Sequence, residues 1–253
     1  MMKTAFITLG MIIMSWVTLL GQAKDQAPEN YITFGAQYGY QVPLSDLAER
    51  FGPNFAGTFT VDYYNRKLNG MLGLEWQIQF GNNVKEDVLA PLRIDQGVLL
   101  GTDGGIGDIF LRRRGLYIGA YINKIILKSK SMHSSGLALG VGAGVWQHFV
   151  RIQNDSDNIG QLRGDYAKGY DRLARGPALR ESLSYLHLNP SNSVKYSIVL
   201  SFTQGFLNPV RGLNFDTQVA EQGRRLDLFI SLDAKWYIPL AEGASRTKEE
   251  VFY

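Results

Sequence analysis

Residues 31–42 read YITFGAQYGYQV, an unbroken alternation of side-chain character. Ile32, Phe34, Ala36, Tyr38, Tyr40 and Val42 fall on one face; Thr33, Gly35, Gln37, Gly39 and Gln41 fall on the other. A period of two marks a β-strand, because successive side chains leave opposite faces of the pleat. The apolar face is larger and more aromatic than a soluble edge strand tolerates. The other face, built on Gly and Gln, suits a crowded, wet interior. A tilted transmembrane strand needs about 9–11 residues, and this run supplies them. It therefore points to a strand with lipid on one side and a polar lumen on the other.

Seven further runs repeat the pattern, at 56–65, 70–81, 115–127, 136–149, 178–188, 194–206 and 226–238. In the run 70–81, Leu72, Leu74, Trp76, Ile78 and Phe80 alternate with Gly73, Glu75, Gln77 and Gln79. The run 115–127 loses its period after Asn123, which predicts a bulge there. The run 136–149 puts Gly140, Gly142 and Gly144 on its inner face, leaving room for a bulky neighbour such as Tyr121 or Trp146. The run 178–188 is irregular, since Glu181 shares the lipid face with Leu179, Leu183 and Tyr185.

The intervening segments alternate strictly in length. Those at 66–69, 128–135 and 189–193 are short, and those at 43–55, 82–114, 151–177 and 207–225 are long. The expected fold is an all-β, eight-stranded antiparallel up-and-down transmembrane β-barrel, with short periplasmic turns and long extracellular loops. An even strand count puts both termini in the periplasm. A soluble ligand-binding barrel would be apolar inside and polar outside, the reverse of this pattern. Tyr40, Phe80, Phe149 and Phe206 are expected to form an outer aromatic girdle, and Tyr31, Tyr63, Tyr196 and Trp236 a periplasmic one.

The beginning of the chain agrees with export. Lys3, an apolar stretch over 5–20 and the small-residue exit Gly21-Gln22-Ala23 predict a signal peptide over 1–23. The barrel would then occupy 24–239 and a periplasmic tail 240–253. No Cys follows the apolar stretch, so the chain is no lipoprotein; none occurs anywhere, which excludes disulfides and thiolate metal sites. The 28 Gly and the 12% aromatic content suit tight turns and interfacial girdles. A net charge of +3 is too mild to argue for nucleic acid.

Residues able to carry chemistry are few. Asp62, Glu75, Gln77, Gln79, Arg180, Asp227, Asp233 and Lys195 or Lys235 fall on the lumen face. An eight-stranded barrel is wide enough only for its own side chains, so these are expected to form a plug rather than a narrow conduit. His133, His148 and His187 lie in separate segments without metal-ligand spacing. Small barrels that modify lipid A or phospholipids use His with Ser and an acid or Asn. Here His148 would be the only general base, with Asp155 and Asp157 as acids. A lone His near an interface is far more often structural. The chain is thus expected to be no enzyme, with no catalytic, cofactor-binding or metal residue.

The long segments are rich in Arg, with Arg112-Arg113-Arg114 closing the second, Arg163, Lys168, Arg172 and Arg175 in the third and Arg224-Arg225 closing the fourth. These side chains suit contact with lipopolysaccharide phosphates or with a protein partner. Residues 44–51, LSDLAERF, predict a short helix capped by Ser45, with Leu44, Leu47 and Phe51 on one face to roof the barrel. Residues 101–109, GTDGGIGDI, lack the Lys-Ser/Thr ending of a phosphate loop and have no βαβ context. The runs 169–173, GYDRL, and 214–217, NFDT, read as ordered loop structure. The end, TKEEVFY, is either a frayed terminus or a docking peptide.

The chain resembles small outer-membrane β-barrel proteins of the Bacteroidota. The likeness rests on Asp46 to Gly52 (DLAERFG), on Phe80-Gly81-Asn82, on the GYDRL and NFDT runs and on the aromatic end of the last strand. These motifs are structural and transfer no catalytic residue. The resemblance implies an accessory barrel of an envelope machine, such as the type IX secretion system or a barrel-assembly complex. Its partners would be outer-membrane lipids, lipopolysaccharide and other outer-membrane or periplasmic proteins, with no cofactor. The rival expectations are a stand-alone OmpA-like structural or adhesion barrel, a lipid-modifying enzyme and a small pore.

Overall fold

The computed structural model describes residues 30–239, apart from 66, 95–96, 129–135, 156–157, 189–193 and 222. The expected signal peptide and tail, two of the three short turns, His133 and Asp157 lie outside the described residues. Strand β1 (Asn30–Ser45) leads into helix α1 (Asp46–Arg50), then β2 (Asn54–Asn65) and β3 (Gly70–Gly81). A two-residue ribbon, β4 (Leu99–Leu100) and β5 (Ile106–Gly107), interrupts the second long loop. Strands β6 (Ile109–Lys128), β7 (Gly136–Asn154), β8 (Ala174–Leu188), β9 (Val194–Pro209) and β10 (Arg225–Pro239) complete the chain.

Eight of these strands close into an antiparallel barrel in the order β1-β10-β9-β8-β7-β6-β3-β2. Closure rests on β1, which pairs with β2 through Phe34↔Val61 and with β10 through Phe34↔Ile238. A closed ring leaves no unpaired strand edge, the condition a sheet must meet in lipid. The faces follow the alternation. Ile32, Tyr38, Phe59, Leu74, Ile78, Ile118, Val141, Leu200 and Leu232 are exposed outward, while Gln41, Asp62, Gln77, Asp227 and Lys235 are buried inward. An exposed apolar belt around a buried polar interior inverts the soluble pattern and defines a membrane-spanning barrel. Among the described residues no helix is long and apolar enough to cross a membrane.

Three expectations need correction. First, β6, β7 and β8 run beyond the belt at the long-loop end, beginning at Ile109, ending at Asn154 and beginning at Ala174. Main-chain pairing continues there, as in Arg112↔Arg151, although the side chains no longer separate lipid from lumen. Arg112 to Arg114 are therefore strand residues and not the end of a loop. Second, Ser45 makes no capping hydrogen bond to α1. Its φ of 50° turns the hydroxyl to Asp46 Oδ1, 3.3 Å away. Third, Tyr31 belongs to no lipid girdle: its parity is inward, and it stacks on Tyr64 with ring centroids 4.9 Å apart. The glycine-rich stretch at 101–105 is the turn of the β4–β5 ribbon, closed by Gly101 N–H to the Gly105 carbonyl at 2.8 Å. The expected bulge is present in β6, where the register shifts between Ile125 and Leu127.

Candidate functional site

The barrel interior is layered. At the short-turn end Tyr64, Met71, Ile125, Ala138, Leu186 and Tyr237 form an apolar floor. Above it, Lys235 donates to both Asp62 oxygens at 2.9 and 3.2 Å and to the Tyr121 hydroxyl at 2.8 Å. Thr60 donates to Asp62 Oδ2 at 2.7 Å, and the Tyr121 hydroxyl donates to Oδ1. The Tyr121 ring fits because β3 presents Gly73, where a Cβ would stand 2.7 Å from Cε1 of that ring. The sequence places bulk beside glycine across this lumen, and Tyr121 against Gly73 and Gly142 is one such match.

The next layer is held by Arg180. It donates to Glu75 Oε2 at 2.7 Å, Gln77 Oε1 at 3.0 Å and Thr203 Oγ1 at 3.1 Å, with its guanidinium 4.4 Å from the centre of the Tyr117 ring. Gln77 also accepts from Gln41 and Gln79 and donates to Thr58. Asn54, Gln79, Arg113 and the Trp146 indole extend this network towards the long loops. The space left between the two layers is a pocket of about 40 Å³ lined by Gln37, Thr60, Glu75, Tyr121, Ser182 and Lys235. A water needs roughly 10–15 Å³, so the pocket has room for a few waters.

At the long-loop end His148 Nε2 lies 2.7 Å from Asp227 Oδ2, and Arg50 of α1 donates to both oxygens of Asp227 at 3.1 and 3.2 Å. His148 and Asp227 are completely buried. Phe51 and Trp146 pack on the imidazole, with centroids 5.5 and 5.2 Å away. The base that a lipid-modifying site would need is thus sealed under a roof, paired with a lumen-facing acid of β10 and not with Asp155. Asp155 instead accepts from Gln153 at 2.8 and 2.9 Å. His187 stacks on Tyr196 at the opposite end of the barrel. Among the described residues no three His, Asp or Glu side chains converge on a point that would hold a metal ion.

The roof continues into a folded cap. Leu47 and Phe51 pack with Val88, Leu89, Leu99, Ile159, Leu162 and Tyr170, and the half-buried Phe215 packs against them, so all three larger loops share one apolar core with α1. The motifs that set the long segments apart in the sequence meet here. Phe215 N–H donates to the Gly169 carbonyl at 3.0 Å, and the Phe215 ring meets Tyr170 edge-on at 5.7 Å, joining NFDT to GYDRL. Gly52 N–H donates to the Asn83 carbonyl at 2.9 Å, joining the end of the DLAERFG run to the exit of β3. Arg172 donates to Glu86 at 2.8 Å and to Asp216 at 2.5 Å, tying three loops together. Arg211 donates to Asp171 at 2.9 and 2.5 Å. Those hydrogen bonds from Arg211 to Asp171 raise the guanidinium pKa, while burial, reinforced by Asp216, raises that of the Tyr170 hydroxyl.

A closed ring, an apolar belt, a filled lumen and a folded cap define a small transmembrane β-barrel of the outer-membrane type. No family model and no curated protein matches the chain. Among solved structures it is similar to Ail, the attachment invasion locus protein of Yersinia pestis, at 9% identity over 83% of this chain and 99% of that one, with a TM-score of 0.47. It is also similar to Neisserial surface protein A, at 11% identity over 84% and 98%, with a TM-score of 0.40. A deletion mutant of the monoaromatic hydrocarbon channel TodX shares 10% identity over 84% and 68%, with a TM-score of 0.31. At TM-scores below 0.5 these likenesses carry no argument, and the architecture rests on the strand order and faces of the chain itself.

Proposed function

We propose that this protein is a non-enzymatic outer-membrane barrel that serves as an accessory subunit of an envelope protein-export or assembly machine. In this reading the lumen is plugged, both termini are periplasmic, and the cap is a rigid docking platform. The carrying observation is the Arg172 tie between Glu86 and Asp216, which turns three loops into one folded surface. Loops that only fill space gain nothing from such order, whereas an ordered surface spares a partner the entropy of fixing it. The cap exposes Ile106, Tyr166 and Val219 at 69, 67 and 61%. Apolar and aromatic groups of this kind anchor protein interfaces. The resemblance to small Bacteroidota barrels supports placing the machine among type IX secretion or barrel-assembly complexes.

The test is purification of the tagged full-length protein from membranes in mild detergent. One partner in fixed stoichiometry is expected, and it should be lost from a variant carrying Tyr166→Ser and Val219→Ser with an intact barrel. A lone monomer would favour a stand-alone structural or adhesion barrel. Steady single-channel currents from the purified protein in planar bilayers would overturn the plugged lumen.

A further inference from the structure

Four arginines crowd one side of the barrel just above the apolar belt. Along the outward face of β6, Leu116 gives way to Arg114 and then Arg112; along β7, Val145 gives way to Gln147, Phe149 and Arg151. Arg112 and Arg151 are direct cross-strand partners, and Arg114, opposite Phe149, lies one outward step nearer the belt. On β8, Arg175 is paired with Gln147 and donates to its Oε1 at 3.0 Å. Like charges set opposite one another across a sheet are destabilising. Arg50, Arg172, Arg211 and Arg225 each answer a carboxylate. Among the described residues none of Arg112, Arg114, Arg151 and Arg175 does so.

Like Arg175 on Gln147, two more of the four are held in place by neutral groups. Arg112 donates to Asn82 Oδ1 at 2.9 Å and lies 5.8 Å from the centre of the Phe110 ring. Arg114 donates to the Arg113 carbonyl at 2.7 Å. Each bond uses Nη1 and, among the described residues, leaves Nη2 of the fork without a hydrogen bond, while Nε of Arg112 is buried. Guanidinium groups match phosphate oxygens in paired geometry, and several together hold a phosphate more tightly than solvated lysines would.

We propose that this cluster binds the phosphate groups of a phosphorylated lipid of the lipid A type, in the leaflet on the long-loop side. The position of the cluster selects a lipid over a free anion. Directly below the arginines on the same outward face lie Leu116, Val145 and Pro177, over which acyl chains run while the headgroup meets the charges. The proposal rests on the belt and its upper edge, and is independent of any protein bound to the cap.

The full-length barrel in detergent is titrated with diphosphoryl lipid A, with the same lipid dephosphorylated, and with inorganic phosphate, while native mass spectrometry counts bound molecules. Folding of each variant is checked by the heat-dependent shift of barrel mobility on a gel. The diphosphoryl lipid is expected to stay bound and the other two to be lost. Arg114→Gln with Arg151→Gln should weaken binding at least about tenfold, since each removes a charge-assisted bond. Arg114→Lys with Arg151→Lys should recover part of that loss, and Arg224→Gln, elsewhere on the rim, should change nothing. Equal retention of the dephosphorylated lipid, undiminished binding by the folded double Gln variant, or equal binding of inorganic phosphate would each overturn the proposal.

Discussion

Arg180 of β8 donates to Glu75 of β3 across the lumen at 2.7 Å, joining two strands that are not neighbours in the ring. Main-chain pairing cannot make that connection, so the pair braces the cross-section of the barrel. Both side chains are almost fully buried. Removing one partner leaves a buried charge unanswered and should cost about 3–5 kcal/mol, whereas replacing both with apolar groups should recover most of it. Urea unfolding in lipid vesicles, followed by tryptophan fluorescence, is therefore expected to show a large loss for Arg180→Met and a small one for Arg180→Met with Glu75→Leu. Equal losses would show that the pair itself contributes nothing.

Arg172 plays the corresponding part in the cap. Its backbone sits at a φ of 51°, a conformation that costs a non-glycine residue energy and is repaid here by two carboxylates. Arg172→Ala keeps the strain and loses the ties; Arg172→Gly loses both. Limited proteolysis of the folded barrel should cut both variants in the loops at rates above wild type, with Ala the faster of the two. The heat-dependent gel shift of the barrel should persist in each. Loss of that shift in Arg172→Gly would place the residue in barrel folding rather than in the cap.

The barrel was readable in the sequence because lipid and lumen impose opposite demands on alternate residues. Tyr38 against Gln37, or Leu74 against Glu75, carries that contrast in two adjacent letters. Above the belt the contrast fades, and Arg112, Arg113 and Arg114 look alike although Arg113 alone points inward, where it is completely buried. The pairing of His148 with Asp227 was also hidden. It joins β7 to β10 across 79 positions, and no local period reports a contact between strands that are not adjacent. The GYDRL and NFDT runs signalled order through Gly, Asx and aromatic residues close together. Their mutual contact required the barrel to bring the third and fourth loops side by side.

Glu181 puts a carboxylate on the lipid face of the belt. It faces outward on β8 between Leu179 and Leu183, and its carboxylate accepts from Gln204 of β9 at 2.9 and 3.2 Å. A carboxylate facing hydrocarbon is unfavourable, less so than Lys or Arg, and the Gln204 amide offsets part of that cost. Glu181→Leu with Gln204→Leu should stabilise the barrel in vesicles by on the order of 1 kcal/mol, the urea midpoint rising at unchanged slope. A fall in the midpoint would show that the pair is wetted or answered by another polar group.

His148 separates the structural from the enzymatic reading of this barrel. Its imidazole is enclosed by Phe51, Trp146 and Asp227, and Arg50 on the roof helix closes the same carboxylate. A lipid carbonyl would have to displace α1 to reach the ring. His148→Ala removes one partner of a buried charge and opens a cavity beside Trp146, so a loss of about 2–4 kcal/mol is expected in urea unfolding. Arg50 still answers Asp227, which keeps the variant folded at room temperature. Membranes of cells carrying His148→Ala should show lipid A and phospholipid profiles identical to wild type by mass spectrometry. A changed acyl profile from a folded His148→Ala barrel would make the imidazole a general base and the cap a lid.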